Sequence, residues 1–295
     1  MKREIFRGAG VAIATPMHKD GSINYPLFES FIDYQIENGT DAIIVCGTTG
    51  EAATMNHEEH IKTIETCVKR VAGRVPVIAG TGSNDTRYAV QLCNDAEALG
   101  VDGLLMVTPY YNKTSQAGLI SHYNYVADRV HTPIILYNVP SRTGCNIQPA
   151  TYAELCKHPN IVATKEANGD IAALAATRNL CGDNLAIYSG NDDQITPVLA
   201  MGGSGVISVL SNIMPRETHD ICQKFFDGDV AGSSALQIRL IYLIQALFCD
   251  VNPIPVKTAL NLMGKEFGEC RLPLAPMSDS ARGILKMRMT ELGLI

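Results

Sequence analysis

Eight short apolar segments recur along the chain at intervals of roughly 28 residues, and their rhythm constrains the fold more than any other feature. Each segment is a continuous run of Val, Ile, Leu, Ala and similar residues, without the polar alternation of a half-exposed strand. Such runs are typical of strands that are covered on both faces of a parallel sheet. We predict strands over residues 11–14, 42–46, 75–79, 103–107, 133–137, 161–165, 185–188 and 205–210.

Helical segments separate the predicted strands. One begins with a capping-box pattern at Asn56 and Glu59 and ends before Gly73, and others cover residues 88–99 and 171–180. Eight strands that alternate with helices predict an α/β fold, the (β/α)8 TIM barrel, which fills about 200 or more residues. The alternative, a doubly wound open sheet, would normally carry a glycine-rich dinucleotide motif after its first strand, where this chain has a Thr-Pro-Met turn.

The length of 295 residues allows either two domains or one barrel with an appendage. The strand rhythm stops after about residue 224, and helical patterns then cover residues 229–248, 255–263 and 278–292. We therefore expect a catalytic barrel over residues 1–224 and a C-terminal α-helical domain over residues 225–295.

Charge and hydropathy exclude several classes of protein. The chain carries 24 Lys and Arg against 30 Asp and Glu, and its net charge of -6 argues against binding to nucleic acid or to an anionic membrane. Polar residues interrupt the longest apolar segment, 236–248, so no segment has the pattern of a membrane span. Residues 8–17 are apolar but glycine-rich and flanked by charges, which favours a first buried strand over a signal peptide.

The nine cysteines are scattered along the chain and include no CxxC pair. Their spacing is typical of neither a zinc site nor a disulfide framework. Scattered thiols within apolar segments are usual in reduced intracellular proteins, so we expect a cytoplasmic location.

Lys165 closes the sixth predicted strand, and a barrel assembles its active site at the C-terminal ends of its strands. A lysine amine is a nucleophile only when it is neutral, and partial burial favours the neutral form. Such an amine can attack a ketone and form a Schiff base. The alternative is an ion pair with a neighbouring carboxylate; Glu166 is adjacent, but it should point to the other face of the strand. Both interpretations remain open from the residues alone.

Polar residues follow several other predicted strands. The turn at residues 47–51 places two threonines between glycines, so it is either a plain connection or a cradle for a small carboxylate near a helix start. Tyr137 closes the fifth strand, and Arg142 in the next loop has the fork that fits a carboxylate in two contacts. Tyr110 and Tyr111 follow the fourth strand, and tyrosines serve as proton relays. Their joint placement at strand ends favours an active site.

Three further motifs are weaker indications of a functional site. His57 and His60 are three residues apart, where the HExxH zinc motif needs four, so we expect no metal and place the pair at a surface or effector pocket. The glycine-rich residues 202–205 precede the eighth strand, which places them at the end of the barrel opposite the active site, as a tight turn. Residues 191–193 could hold Mg²⁺, but we favour a helix cap.

Five motifs together resemble the dihydrodipicolinate synthases, members of the pyruvate-dependent class I aldolase family that also contains N-acetylneuraminate lyase. The lysine and the GTTGE turn are shared with these sibling aldolases, whereas the SRTG loop and the double tyrosine are more particular to the synthases. The resemblance covers essentially the whole chain. In chain order the motifs are GTTGE (47–51), TPYYNK (108–113), YNVPSRTG (137–144), KEANGD (165–170) and SGND (189–192).

The resemblance implies a lyase of lysine and diaminopimelate biosynthesis that needs no metal or dissociable cofactor. Lys165 would form a Schiff base with pyruvate. Thr48, Tyr137 and Tyr111 would relay protons, with Tyr111 reaching into a neighbouring subunit's site. The resemblance also implies a homotetramer built as a dimer of dimers.

The resemblance further assigns the groups that hold the substrates. Thr49, with the backbone of Ile207 and Gly190 close by, would hold the pyruvate carboxylate. Arg142 would bind the carboxylate of the second substrate, L-aspartate 4-semialdehyde. The alternatives are a sibling aldolase that cleaves a sugar-derived 2-oxo acid and a non-catalytic pyruvate-binding regulator. Arg142 argues against the first, because a polyol tail needs neutral partners, and the proton-relay set argues against the second.

In lysine-regulated relatives the effector lies at the dimer interface. The residues of this chain that match that pocket are His57, His60, Asn84 and Tyr110. Ala52 and Tyr88 depart from it, because the regulated relatives place a serine and a glutamate there. Loss of the glutamate removes a partner for the ammonium group of lysine, so the resemblance implies weak or absent feedback inhibition.

Overall fold

A computed structural model describes residue 2 and residues 4–295, and its centre is a closed barrel of eight parallel strands. Each strand pairs with the next along the chain, and the last pairs with the first. The predicted (β/α)8 barrel is therefore confirmed. The strands are β1 Gly8–Ala12, β2 Ala42–Val45, β3 Val77–Gly80, β4 Gly103–Val107, β5 Ile134–Asn138, β6 Ile161–Glu166, β7 Ala186–Ser189 and β8 Gly205–Ser208.

Twelve α-helices occur in the described part of the chain; nine follow the strands and the last three form a C-terminal extension. The first nine are α1 Tyr25–Glu37, α2 His57–Val71, α3 Thr86–Ala98, α4 Gln116–Ala127, α5 Pro140–Thr143, α6 Pro149–Leu155, α7 Ile171–Cys181, α8 Ile195–Ala200 and α9 Pro215–Phe226. The extension comprises α10 Val230–Leu247, α11 Ile254–Leu262 and α12 Asp279–Glu291. Short 3-10 turns cover Ala52–Thr54, Gly182–Asn184, Asp192–Gln194 and Leu210–Asn212.

The continuous apolar runs arise because both faces of the sheet are buried. Ile43 packs in the layer between the barrel and its helices, and the next residue, Ile44, packs inside the barrel. Inner and outer residues alternate along a strand in this way, and both positions need apolar side chains. The capping box of α2 is also present, since Asn56 and Glu59 each bond the backbone of the other.

The first strand begins earlier than predicted, and the last strand ends earlier than predicted. β1 starts at Gly8, three residues before the predicted start. Glycine is rare in strands, so the glycines at the start of this strand hide it in the sequence. A Cβ on Gly10 would lie 2.6 Å from Ile44 Cδ1. β8 ends at Ser208 rather than 210, because the Val209 and Leu210 amides donate to the Asp192 carboxylate.

Asp192 therefore corrects the prediction of a helix cap at residues 191–193. Its side chain does not cap the turn that follows β7; Oδ2 accepts from Val209 N at 3.0 Å and from Leu210 N at 2.9 Å. Burial raises the pKa of Asp192 above its ordinary value, against the opposing effect of these hydrogen bonds. This carboxylate joins the end of β7 to the end of β8.

The glycine-rich turn before β8 lies at the N-terminal end of the barrel, as predicted. Gly203 N donates to Val198 O at 2.9 Å, and Ser204 N donates to Ile187 O at 2.8 Å. Gly202 has a φ of +82°, which glycine adopts at low cost. Because the protein itself uses these amides, the turn is a helix stop and not a phosphate cradle.

All nine cysteines are free, and seven of them are buried. The helix α10 is the one described helix with the length and hydropathy of a possible membrane span, and 39% of it is buried inside the fold. Its Gln237, one of the polar residues that interrupt the apolar pattern, accepts from Thr196 N at 2.7 Å and donates to Asp193 O. These bonds fix α10 against the barrel.

Candidate active site

A cavity of about 150 Å³ lies at the C-terminal ends of the barrel strands. Its walls combine the turn after β2, the last residues of β5 and β6, the loop after β7 and one segment of the C-terminal extension. The structure thus brings together six of the residues expected at the site, namely Thr48, Thr49, Tyr137, Arg142, Lys165 and Gly190.

Lys165 lines this cavity. Its side chain is only 6% exposed, and Nζ lies 4.3 Å from the ring centroid of Tyr137, the residue opposite it on β5. The ring face stabilises an ammonium without a full counter-charge. In the described part of the chain Lys165 forms no ion pair, and the alternative of a pair with Glu166 is not realised.

Glu166 points to the other face of β6, as predicted. Its carboxylate accepts hydrogen bonds from Asn138 Nδ2 at 3.0 Å, from the Tyr152 hydroxyl at 2.9 Å and from Asn168 N at 2.9 Å. Burial raises the pKa of Glu166, and the same hydrogen bonds oppose that rise. The bonds fix the end of β6 and, with it, the direction of the lysine on the inner face.

Gly190 forms the wall behind the lysine. A Cβ at this position would lie 2.7 Å from the Cβ of Ala167 and 3.2 Å from Lys165 Cε. Its amide donates to Glu166 O at 2.7 Å. Only glycine lets the loop after β7 approach the lysine so closely.

Tyr137 and Thr48 both line the cavity. Neither hydroxyl has a hydrogen-bond partner among the described side chains, and no direct bond links the two. Both groups are therefore free to exchange protons with a ligand bound beside Lys165.

Two of the expected carboxylate-binding groups are joined by a residue that the sequence did not single out. Asn252, between α10 and α11, donates from Nδ2 to Thr49 Oγ1 at 3.0 Å. Its backbone carbonyl accepts from Arg142 Nη2 at 3.2 Å. Asn252 also lines the cavity. No sequence pattern indicates this contact, because an Asn-Pro pair in a tail is typical of an ordinary turn.

A second group from the extension holds the turn after β2. Lys257 Nζ lies 2.7 Å from Glu51 Oε1, and the two side chains are 2% and 1% exposed. Glu51 Oε2 also accepts from the Arg271 amide at 2.8 Å. Glu51 has a φ of +59°, so this left-handed turn is held by ionic contacts rather than by a glycine. No pattern in the sequence indicates this network.

Tyr111 and Ile207 lie outside the cavity of their own chain. Tyr111 is 92% exposed and has a φ of +69°, so the loop after β4 extends its ring into solvent. Ile207 is fully buried in β8 and packs inside the barrel in the same cluster as Tyr137.

A larger cavity of about 470 Å³ adjoins the first and shares Thr48, Tyr137 and Arg142 with it. Two of the expected effector residues, His60 and Tyr110, line this second cavity. His60 is buried and donates from Nε2 to a backbone carbonyl, that of Gly80, at 2.8 Å. Burial lowers the pKa of His60 below its ordinary value.

The other two effector candidates lie beside this cavity. His57 is held between the Tyr88 hydroxyl, 3.4 Å from Nδ1, and Asp95 Oδ2, 3.3 Å from Nε2. The backbone carbonyl of Asn84 accepts from Asn112 Nδ2 at 3.0 Å. Within residues 2 and 4–295, no group of three or more His, Cys, Asp or Glu side chains is arranged to hold a metal ion.

Comparison with known proteins identifies the family. The model of the dihydrodipicolinate synthetase family matches residues 5–292. The chain belongs to this family. The curated 4-hydroxy-tetrahydrodipicolinate synthase of Caldicellulosiruptor saccharolyticus is 54% identical over 98% of this chain and 98% of its own.

Solved structures of the family superpose closely on this chain. The dihydrodipicolinate synthase of Thermotoga maritima matches with a TM-score of 0.96 and 43% identity, over 99% of this chain and all of its own. The chloride-inhibited synthase of Acinetobacter baumannii complexed with pyruvate matches with a TM-score of 0.97 and 41% identity, over 99% and 100% of the two chains. The protein is therefore an enzyme, a lyase of the class I aldolase type, as the sequence predicts.

Proposed function

We propose that the protein condenses pyruvate with L-aspartate 4-semialdehyde through a Schiff base on Lys165, in lysine and diaminopimelate biosynthesis. The observation that carries the proposal is the position of Lys165, a buried lysine that lines the cavity and has no ion-pair partner in the described chain. The pyruvate-bound relative and the shared family motifs support the choice of the keto acid.

The chemistry follows from the residue types. The Lys165 amine adds to the ketone of pyruvate, water leaves, and the resulting iminium withdraws electrons from the methyl carbon. Loss of a methyl proton gives an enamine, and its carbon attacks the aldehyde of the second substrate. The amine of that substrate then displaces Lys165 by transimination, which closes the ring and frees the lysine. The reaction needs no metal or dissociable cofactor.

Two sets of donors would hold the carboxylates. Thr49, with the backbone of Gly190 and Ile207 close by, is proposed for pyruvate, and the guanidinium of Arg142 for the semialdehyde. Arg142 forms no ion pair in the described part of the chain, so its remaining N–H groups are available for an anionic ligand. The net charge of -6 does not attract these anionic substrates, so the local donors must supply the attraction.

Thr48 and Tyr137 are proposed as proton relays with a third hydroxyl from Tyr111. The free hydroxyls in the cavity support the first two roles. The exposure of Tyr111 supports a role in the site of a neighbouring subunit, in a homotetramer built as a dimer of dimers. We also propose a cytoplasmic location and a division into a barrel, 1–224, and a helical domain, 225–295.

The proposal is tested by incubating the protein with pyruvate and borohydride and searching for the covalent adduct by mass spectrometry. The expected result is one reduced pyruvate adduct on Lys165. L-Aspartate 4-semialdehyde and N-acetylneuraminate are then offered in separate assays, and turnover is expected only in the synthase reaction, with pyruvate and the semialdehyde. Absence of the adduct, or cleavage of N-acetylneuraminate, would contradict the proposal.

Tyr137→Phe is expected to lower kcat by roughly 10²–10⁴-fold, the usual contribution of a general acid–base group, while pyruvate is still trapped on Lys165. The ring that packs under the ammonium is retained, so only the hydroxyl is removed. Steady-state rates and borohydride trapping measure the two effects. Tyr125→Phe, an exposed position on α4, is the control and should leave both unchanged. Near-normal rates for Tyr137→Phe would remove this residue from the relay.

Lysine is expected to inhibit weakly or not at all, although the second cavity is present. Ala52 and Tyr88 line it where regulated relatives place a serine and a glutamate. The prediction is checked by measuring initial rates across a lysine titration. The double variant Ala52→Ser/Tyr88→Glu restores the pattern of the regulated relatives and should gain sensitivity to lysine. Strong inhibition of the unaltered protein would show that other residues bind the ammonium group.

A further inference from the structure

Asn252 connects the C-terminal extension to both proposed carboxylate-binding groups. It is 5% exposed and lies 203 residues along the chain from Thr49, whose hydroxyl accepts from its Nδ2 at 3.0 Å. Its own carbonyl accepts from Arg142 at 3.2 Å. One residue of the extension therefore contacts a group proposed for each of the two substrates.

The direction of the hydrogen bond determines what Thr49 can do. A hydroxyl has one hydrogen and two lone pairs. Because Asn252 donates to Thr49 Oγ1, one lone pair is occupied and the hydroxyl must point its hydrogen elsewhere. No acceptor for that hydrogen occurs among the described residues, and Thr49 lines the cavity. The threonine is thus held as a hydrogen-bond donor, which is the form that binds a carboxylate.

The second polar atom of the Asn252 side-chain amide is its oxygen, Oδ1. Asn252 Oδ1 is buried and has no hydrogen-bond partner in the described chain. Buried polar atoms without a protein partner are rare, and a water or a ligand commonly satisfies them. Within the described chain, the hydrogen bond to Thr49 is therefore the one contact that fixes the side-chain amide of Asn252.

We infer that Asn252 is a positioning residue: its side chain orients the Thr49 hydroxyl toward the carboxylate of the keto acid, and its backbone carbonyl anchors Arg142 for the second substrate. The inference rests on the proposed function and extends it to the C-terminal helices, which become part of the active site. The two contacts use different atoms of Asn252, so they can be separated by mutation.

The side-chain contact is tested with Asn252→Ala and Asn252→Asp, with each substrate varied in turn. Asn252→Ala is expected to raise the KM for pyruvate about tenfold, the value of one hydrogen bond to a charged group. The KM for the semialdehyde and kcat should change little, because the backbone carbonyl that holds Arg142 remains. Asn252→Asp keeps the shape but accepts the Thr49 hydrogen and adds a negative charge, so the KM for pyruvate should rise by about a hundredfold.

A double-mutant cycle with Thr49→Val tests whether the two residues act together. Once the hydroxyl is absent, Asn252→Ala should cause no further rise in the KM for pyruvate. Asn261→Ala is the matched control, because Asn261 lies in the same extension and its side chain bonds only the Gly268 backbone, at 2.9 and 3.2 Å. It should leave both KM values unchanged.

The outcomes separate this inference from the proposed function. If the unaltered protein does not trap pyruvate, the proposed function fails. If it traps pyruvate and turns over, but Asn252→Ala and Asn252→Asp leave the KM for pyruvate unchanged, the inference alone fails. Equal rises in both KM values, or additive effects in the Thr49→Val background, would show a general structural role and also overturn it.

Discussion

Lys165→Met is expected to abolish pyruvate trapping and to lower kcat/KM by on the order of 10⁴-fold or more, the scale of loss seen when a covalent nucleophile is removed. Methionine has nearly the length of lysine and no charge, so it can fill the same space above the Tyr137 ring. The variant therefore removes the amine and leaves the packing. In the proposed mechanism every later step passes through the iminium on Lys165, so no other residue can compensate.

Borohydride trapping and steady-state rates with both substrates measure this loss. Lys157→Met is the matched control, because Lys157 lies on the surface and pairs with Glu154 far from the cavity. It should trap and turn over normally. A thermal unfolding midpoint near that of the unaltered protein shows that Lys165→Met is folded. An adduct that persists on a different lysine would assign the Schiff base elsewhere.

The sequence was sufficient to predict the groups that the barrel itself provides. Parallel strands in a closed barrel all end at the same rim, so a residue that closes a strand is assigned to the rim from its position alone. Lys165 and Tyr137 were predicted in this way, and the structure places them opposite each other on neighbouring strands. The faces of β6 were also predictable, because alternate side chains must point to opposite sides.

The contribution of the extension could not be predicted in the same way. The order of the strands determines where each strand-end residue lies around the barrel. The helices after α9 follow no comparable repeat, so the sequence does not predict which part of the barrel they contact. Asn252 and Lys257 contact Thr49 and Glu51 across more than two hundred residues. The early end of β8 was missed for a related reason, since a side chain, that of Asp192, replaces the strand ladder as the partner of two amides.

Lys257→Met is expected to destabilise the protein by about 3–5 kcal/mol, because it leaves the Glu51 carboxylate buried without its partner. A loss of this size lowers the thermal midpoint by roughly 6–20 °C. Thermal unfolding followed by circular dichroism measures the change. Lys69→Met is the control, since the pair of Lys69 with Glu65 is exposed on α2 and its loss should hardly move the midpoint.

The double variant Lys257→Met/Glu51→Gln distinguishes two causes of the lost stability, namely poorer packing around position 257 and the unpaired charge on Glu51. The amide of glutamine is neutral and can still accept from the Arg271 backbone, so the double variant should recover at least half of the lost stability. If the double variant is as unstable as Lys257→Met, the loss comes from packing and not from the buried charge. Because Glu51 closes the turn that carries Thr48 and Thr49, the recovery should extend to kcat/KM. Stability restored without activity would mean that the charged pair itself, and not only a stable fold, is needed to hold the turn in its active geometry.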